Sequence, residues 1–162
     1  MMADIRFKTD DYVFSYRVGG ILIHNGKVLL QRVPGDDWYA IIGGHVAFGE
    51  TTAETLKREF KEEICADIKV ERLLMVCENF FPWGERPCHQ INLYYLVSLL
   101  DETQIPIDGN FKAIDELGNE RFDLEMCWIP QKEIPNITVY PTGVKEHIIN
   151  IPNEIVHFVR KE

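Results

Sequence analysis

The sequence predicts a single-domain α+β protein, in which mostly antiparallel strands combine with a few helices. Three observations support this class. The chain has 162 residues, enough for one domain (1–162) with a sizeable core, and 46% of them are hydrophobic against 27% charged. Several segments are rich in β-branched and aromatic residues. One further segment carries an apolar stripe at helical spacing.

The N-terminal part of the chain predicts a β-hairpin. Residues 12–23 and 27–33 are rich in aliphatic and aromatic side chains, and the Asn25-Gly26 dipeptide between them is a strong signal for a tight turn. Residues 34–50 then form a loop punctuated by glycines, in which one short strand is predicted at 39–42.

A helix is predicted after this loop. Thr51 is suited to be its N-cap, and Glu54 three residues on completes a capping box. Four apolar residues then recur at helical spacing and predict the face that packs on the core: Ala53, Leu56, Phe60 and Ile64.

The remaining elements follow from alternating runs of apolar and polar residues. Strands are predicted at 68–81 and 89–100, joined by a turn containing proline, tryptophan and glycine. Residues 101–120 are interpreted as a polar connection, and a further strand is predicted within 121–129. A C-terminal helix is predicted between residues 142 and 160.

The composition excludes several classes of function. A net charge of −9 argues against binding to nucleic acids or to membrane surfaces, because both need a basic footprint. Apolar runs are too short to span a bilayer, and the acidic N-terminus is unlike a secretory signal. The four cysteines form no CxxC pair and are expected to be reduced, buried thiols. These features predict a cytoplasmic protein.

The predicted helix carries an unusual concentration of acids. Glu59 and Glu63 lie about 40° apart around the helix axis, and Glu62 lies about 60° from Glu59. Lys57 and Lys61 face away from this patch. Hard oxygen ligands within one turn suit Mg²⁺ or Mn²⁺, although a solvated charged face is the alternative interpretation.

The loop before the helix favours the interpretation as a metal site. Gly43 and Gly44 allow the backbone to approach a ligand closely, and Glu50 adds a fourth acid just before the helix. Glu50 also suits the helix dipole, which favours an anion at that end. A phosphate-binding P-loop does not fit, because acids stand where that motif needs a lysine.

The spacing Gly44-x5-Glu50-x7-Arg58-Glu59-Phe60-Lys61-Glu62-Glu63-Ile64-Cys65-Ala66 resembles the Nudix box, GX5EX7REUXEEXGU, in which U is apolar. Every acid and the arginine match. Cys65 departs from the family glycine, and Ala66 is small for the final apolar position.

This resemblance implies a Nudix fold, an α/β/α sandwich around a mixed, largely antiparallel sheet. It also implies hydrolysis of a nucleoside diphosphate linked to another group, with Mg²⁺ or Mn²⁺ as cofactor. By similarity, the expected metal ligands are the Gly43 carbonyl and the carboxylates of Glu50, Glu59, Glu62 and Glu63. The expected catalytic residues are Glu59, Glu62, Arg58 and an acid after the box, for which Glu120 is preferred to Glu116. Arg58 is expected to clamp a carboxylate.

The substrate is less clearly indicated than the chemistry. His45, Arg17, Arg32 and Trp38 are the candidates for contacts with a small nucleotide. A nucleoside triphosphate and an ADP-ribose-like diphosphate both stay open, and Pro82, 16 residues after Ala66, resembles a marker of ADP-ribose hydrolysis. A catalytically silent nucleotide-binding module is the other interpretation, and the resemblance also allows a homodimer.

Overall fold

The computed structural model of the protein describes residues 3–117 and 120–162, apart from the side chains of 115–121. Its helices are α1 (Thr52–Ile64), a 3₁₀ helix (Gln131–Asn136) and α2 (Lys145–Ile149). Its strands are β1 (Arg6–Lys8), β2 (Val13–His24), β3 (Lys27–Arg32), β4 (Trp38–Ala40), β5 (Ile42–His45), β6 (Ile68–Trp83), β7 (Arg86–Leu99), β8 (Phe111–Leu117), β9 (Glu120–Pro130), β10 (Thr138–Tyr140) and β11 (Val156–Lys161).

The strands form a mixed sheet. Its main path runs β10-β4-β3-β2-β7-β6-β11, while β1 and β5 pair with β2, and β9 pairs with both β3 and β8. Three of these pairs are parallel (β2 with β7, β4 with β10, and β6 with β11), and the others are antiparallel. The predicted α+β class with a largely antiparallel sheet is confirmed.

Helices cover the sheet from two sides and divide the core into two clusters. Leu56 and Phe60 of α1 are fully buried in the first cluster. Ile134 of the 3₁₀ helix and Ile148 of α2 are fully buried in the second, against Tyr94 of β7. This layering agrees with the predicted α/β/α sandwich. Among the described residues, no helix has the length and apolar character needed to cross a lipid bilayer.

The local signals read from the sequence are present. The first hairpin turns at Asn25 and Gly26, which both adopt positive φ angles, as a tight two-residue turn requires. The α1 N-terminus has the predicted capping box, in which Thr51 Oγ1 accepts from the Glu54 amide and Glu54 accepts from the Thr51 amide. The long strands β6 and β7 extend the predicted segments to meet at Gly84.

Two predictions about the second half of the chain were wrong. The segment 101–120 is not only a connection, because its last part forms β8, which pairs with β9. The predicted C-terminal helix is confined to Lys145–Ile149, and the chain then forms β11 alongside β6. Pro152 cannot continue a helix, and the alternating burial of β11 follows the two-residue period of a strand.

Helix α1 ends at Cys65, which has the left-handed conformation (φ 58°, ψ 29°). Its amide donates to the Lys61 carbonyl oxygen at 3.1 Å, and the Ala66 amide donates to the Phe60 carbonyl oxygen at 3.4 Å, as at a helix C-terminus that usually has glycine. The prediction that all four cysteines are buried was wrong for this residue, because Cys65 is exposed while Cys77, Cys88 and Cys127 are buried. Burial raises the pKa of Cys77 and Cys127 to about 11, which keeps these thiols protonated.

We predict that Cys65→Gly stabilises the protein. A β-carbon in the left-handed conformation costs about 1–2 kcal/mol, and the added flexibility of glycine in the unfolded chain costs about 0.4–1 kcal/mol. The free energy of unfolding, measured by denaturant melts, is therefore expected to rise by up to about 1 kcal/mol. Cys65→Ala keeps the β-carbon and is the matched control. An equal gain in both variants would mean that the thiol, and not the backbone conformation, is the source of strain.

Candidate active site

A large cavity of about 1250 Å³ lies beside the acidic side of α1. One wall is formed by Glu59, Glu62 and Glu63 of α1, and the glycine loop of β5 adjoins it. Arg6 of β1 and Arg17 of β2 also line the cavity. The cavity therefore contains acids and bases on different elements of the fold.

Arg58 holds the acids of this wall together. Its Nε donates to Glu50 Oε1 at 2.9 Å, and its Nη1 donates to Glu59 Oε1 at 3.1 Å and to Glu62 Oε2 at 3.2 Å. Thr55 Oγ1 donates to the other oxygen of Glu50 at 3.1 Å. One guanidinium thus contacts three carboxylates, which is the clamp geometry predicted from the sequence. The two neighbouring lysines do not join it, since Lys61 pairs with Asp67 at 3.0 Å and Lys57 is exposed.

The glycine pair of β5 makes space for this arrangement. A β-carbon on Gly44 would lie 2.5 Å from the Glu59 carboxyl carbon, and one on Gly43 would lie 2.0 Å from the Val18 carbonyl oxygen. Any side chain at position 44 would therefore displace Glu59, and any at position 43 would separate β5 from β2. The sequence predicted that this glycine pair lets the backbone approach a ligand. In the structure, glycine is required at position 44 because the Glu59 carboxylate packs there, and at position 43 because β2 lies against it.

The surroundings of Glu59 shift the pKa of its carboxyl group. Burial raises its pKa above the ordinary value, the charge of Glu62 adds to this effect, and the positive charges of Arg58 and Arg17 oppose it. Arg17 of β2 therefore lies close enough to this carboxylate of α1 to favour its charged form. A carboxylate in these surroundings gains from an additional positive charge nearby.

His45 lies at the end of β5, directly opposite Arg17 of β2. Its Nε2 is 3.0 Å from Ser15 Oγ, which in turn accepts from Gln90 Nε2 at 3.1 Å. Burial, together with the positive charges of Arg17, Arg6 and Lys8, lowers the pKa of His45 to about 3. The imidazole is therefore neutral at physiological pH, and its contribution to the cavity is a polar group without charge.

Three of the acids expected to bind a metal contact Arg58 in the structure. No group of three or more His, Cys, Asp or Glu in that part of the chain already has a metal-binding arrangement, and Arg58 lies among the acids instead. The donors are nonetheless of the right kind, because carboxylate oxygens suit Mg²⁺ and Mn²⁺. The absent side chain of Gly44 also leaves the space beside the cavity that the Glu59 carboxylate occupies. The residues fit a hard divalent cation.

Of three further residues named from the sequence, two lie away from this cavity and the third has a side chain outside the described residues. Arg32 pairs with Glu125 at 3.3 Å and donates to the Tyr39 hydroxyl, and it lines neither this cavity nor a second, smaller one. The Glu120 side chain lies outside the described residues, so its catalytic role stays a prediction. Pro82 pairs with Pro87 near the tip of the β6–β7 hairpin and also lines neither cavity.

A second, smaller cavity of about 430 Å³ shares Arg17 and Gly43 with the first. Trp38, predicted as a substrate contact, lines this second cavity and not the first. The sequence did not identify the other polar residues that line it, which include Asn79 and Asn92. Asparagine is an ordinary residue at the polar positions of a half-buried strand, so nothing in the sequence distinguished Asn79 and Asn92 as residues of a cavity.

Comparison with known proteins supports the family suggested by the box. A family model described as the NUDIX domain matches residues 14–146. An ADP-ribose pyrophosphatase from Methanocaldococcus jannaschii is 33% identical over 111 residues, which cover 66% of this chain and 60% of that protein. The alignment therefore spans less than two thirds of the relative.

Two solved structures show the same fold. A MutT protein from Bacillus halodurans superposes with a TM-score of 0.64 at 17% identity, covering 91% of this chain and 90% of the other. A NUDIX hydrolase from Nitrosomonas europaea gives a TM-score of 0.59 at 20% identity, covering 90% and 78%. The predicted fold is confirmed by these superpositions.

We predict that Arg58→Gln destabilises the protein, because it leaves three neighbouring carboxylates without their shared cation. Exposed ion pairs contribute about 0.2–1 kcal/mol and breaking a buried pair costs about 3–5 kcal/mol, so a loss of about 1–3 kcal/mol is expected for this half-buried group. Denaturant melts in the presence of a chelator measure the change. Lys57→Gln removes an exposed positive charge from the same helix and should change stability by less than about 0.5 kcal/mol. Equal effects of the two variants would show that Arg58 contributes only net charge.

Proposed function

Because the chain belongs to the Nudix family, we propose that it is a metal-dependent pyrophosphohydrolase that cleaves the diphosphate linkage of a nucleotide. Cleavage takes place in the larger cavity. The acids of α1 bind Mg²⁺ or Mn²⁺ there, and Arg17 binds phosphate oxygens of the substrate.

One observation carries this proposal, namely the opposite charges on two walls of one cavity. Glu59, Glu62 and Glu63 line one part of it, while Arg17 and Arg6 line another. Among the described residues, Arg17 has no carboxylate within ion-pair distance. A diphosphate with its cation has the matching pattern of charge, since the cation faces the acids and the phosphates face the arginines.

The metal would be held by the carboxylates of Glu50, Glu59, Glu62 and Glu63 with the Gly43 carbonyl, the set implied by the Nudix box. When bound, Mg²⁺ or Mn²⁺ offsets the charge of a diphosphate and lowers the pKa of a coordinated water.

The residues of the chain supply position and binding. Arg58 fixes the orientations of Glu50, Glu59 and Glu62 by direct hydrogen bonds, so it acts as a positioning residue. Arg17 holds the diphosphate in place from the other wall, which keeps the phosphorus atoms near the acids. A carboxylate of the site accepts the proton of the attacking water, and the candidates for this role are Glu62 and Glu120.

An ADP-ribose-type substrate has one specific observation in its favour. The relative from Methanocaldococcus jannaschii, 33% identical over the aligned part, is named an ADP-ribose pyrophosphatase. That alignment covers 60% of the relative, so the substrate of this chain has to be determined separately from the type of bond that it cleaves. We propose ADP-ribose as the first diphosphate to test and nucleoside triphosphates as the second.

The experiment that tests the function is a release assay with the purified chain. ADP-ribose, nucleoside diphosphate sugars and nucleoside triphosphates are incubated with Mg²⁺ or Mn²⁺ and, in parallel, with a chelator, and the products are separated by chromatography. The proposal expects cleavage of a phosphoric anhydride bond that requires the metal. Binding of a nucleotide without any cleavage would instead support the silent module, and undiminished cleavage in chelator would contradict the metal assignment.

We predict that Glu59→Gln and Glu63→Gln each abolish hydrolysis, because each removes a negative oxygen donor from the proposed metal site. The loss is expected to be at least 100-fold in kcat/KM, equivalent to about 2.7 kcal/mol of transition-state stabilisation. Glu133→Gln removes an exposed acid from the 3₁₀ helix and is the matched control. Turnover by either site variant at the rate of that control would remove these residues from the mechanism.

A further inference from the structure

The second cavity contains buried polar atoms that have no partner within the protein. Asn79 of β6 and Asn92 of β7 are 7% and 6% exposed, and Tyr94 of β7 is 1% exposed. Among the described residues, none forms a hydrogen bond with Asn79 Oδ1, Asn92 Oδ1 or the Tyr94 hydroxyl. All three residues line the same cavity of about 430 Å³.

Such groups are costly to leave unsatisfied. A buried polar group without a partner costs about 1–3 kcal/mol, and native proteins contain few of them. Gln90, a buried amide that also lines this cavity, satisfies its donor by bonding to Ser15. The concentration of three unsatisfied groups in one cavity therefore points to a ligand that supplies the missing hydrogen bonds.

The register of the strands brings the two asparagines together. Asn92 is opposite Cys77, and Asn79 is opposite Gln90, so Asn79 and Asn92 are diagonal neighbours on one face of the β6–β7 pair. A carboxamide presents an acceptor and two donors in one plane. Two of them side by side match the edge of a flat group that carries both donors and acceptors.

Aromatic residues border the same cavity. Trp38 of β4 and Tyr140 of β10 are in T-shaped contact at 5.4 Å, and each is about two-fifths exposed. Phe81 of β6 lines the cavity as well. Exposed aromatic rings beside buried amides suit a planar ligand that has polar edges and apolar faces.

The charges of the cavity exclude a strongly anionic ligand from its interior. Its described lining has a single cation, Arg17, which is also part of the larger cavity, and one acid, Glu162. A second phosphorylated end would need a cluster of cations, as found in phosphate sites. The lining therefore suits a neutral group, and Arg17 and Gly43, which line both cavities, join this cavity to the larger one.

We infer that the second cavity binds the nucleobase of the substrate, with Asn79 and Asn92 as the residues that determine base specificity. This inference rests on the proposed function, because it places the base next to the diphosphate in the larger cavity. Trp38 and Tyr140 border the entrance and contact the faces or edges of the base, while the two carboxamides bind its polar edge.

Binding is tested first, without catalysis. Trp38 fluorescence is followed while adenosine, guanosine, cytidine and uridine 5′-monophosphates are added in the presence of a chelator. Saturable quenching is expected with at least one of the four, and it should be absent in Trp38→Phe. In Asn79→Leu and Asn92→Leu the Kd should rise at least tenfold. No saturable change with any of the four nucleotides at millimolar concentration would overturn the inference.

Kinetics then separate specificity from general damage. For the preferred nucleoside 5′-diphosphate, Asn79→Leu and Asn92→Leu should each lower kcat/KM at least tenfold. For ribose 5-diphosphate, which lacks a base, kcat/KM should change less than twofold. Gln31→Leu is the matched control, since Gln31 Oε1 is also buried and without a partner but the residue lines neither cavity. Equal losses on both substrates would overturn the assignment of these asparagines.

Two further results keep the outcomes distinct. Because the asparagine oxygens have no partner in the ligand-free protein, replacing either residue by the similarly shaped leucine should not lower the melting temperature. Asn79→Asp replaces a donor by an acceptor, so it should alter the order of preference among bases. Failure of the wild-type chain to cleave any diphosphate would reject the proposed function. The fluorescence titration would still decide whether the base binds in the second cavity.

Discussion

The contact between Arg58 and the carboxylates of Glu50, Glu59 and Glu62 is the interaction on which the rest of the site depends. Glu59 and Glu62 lie within one turn of α1, and Glu50 lies just before the helix. Without a cation, these three acids would repel one another and move apart into solvent. The guanidinium offsets part of this repulsion and fixes the directions of the oxygens. The fold accommodates the arrangement by omitting a side chain at Gly44, where Glu59 packs.

This arrangement leaves an excess of negative charge on one wall of the larger cavity. One guanidinium does not balance the three carboxylates that it contacts, so a further cation is favoured there, and the charge of Arg17 at the same cavity favours an anion. Arg17 also borders the smaller cavity, whose described lining has Glu162 as its one other charged residue. Arg17 of β2 and Gly43 of β5 line both cavities, so they lie between the proposed site of cleavage and the proposed site of base recognition.

Local signals in the sequence predicted much of this. The Asn25-Gly26 turn and the Thr51 capping box depend on neighbours in the chain, and each is present. The acids of α1 were predicted because helical spacing alone places them together. The strand β11 was missed because its conformation depends on pairing with β6, about 80 residues earlier, and a short apolar segment has no local mark that distinguishes helix from strand. The second cavity was missed for the same reason, since Asn79 and Asn92 become neighbours only through the β6–β7 register.

The central claim is that the acids of α1 are assembled for a cation beyond Arg58, and metal-dependent stability tests it most directly. Denaturant melts of the wild-type chain and of Glu59→Gln are compared in chelator and in Mg²⁺ at matched ionic strength. A metal that binds only the folded state stabilises it in proportion to its affinity and concentration. The account predicts that Mg²⁺ raises the free energy of unfolding of the wild-type chain progressively with concentration and has a much smaller effect on the variant. Equal effects of Mg²⁺ on the two proteins would contradict this claim and would support the alternative interpretation, in which the acids of α1 are only a solvated charged surface.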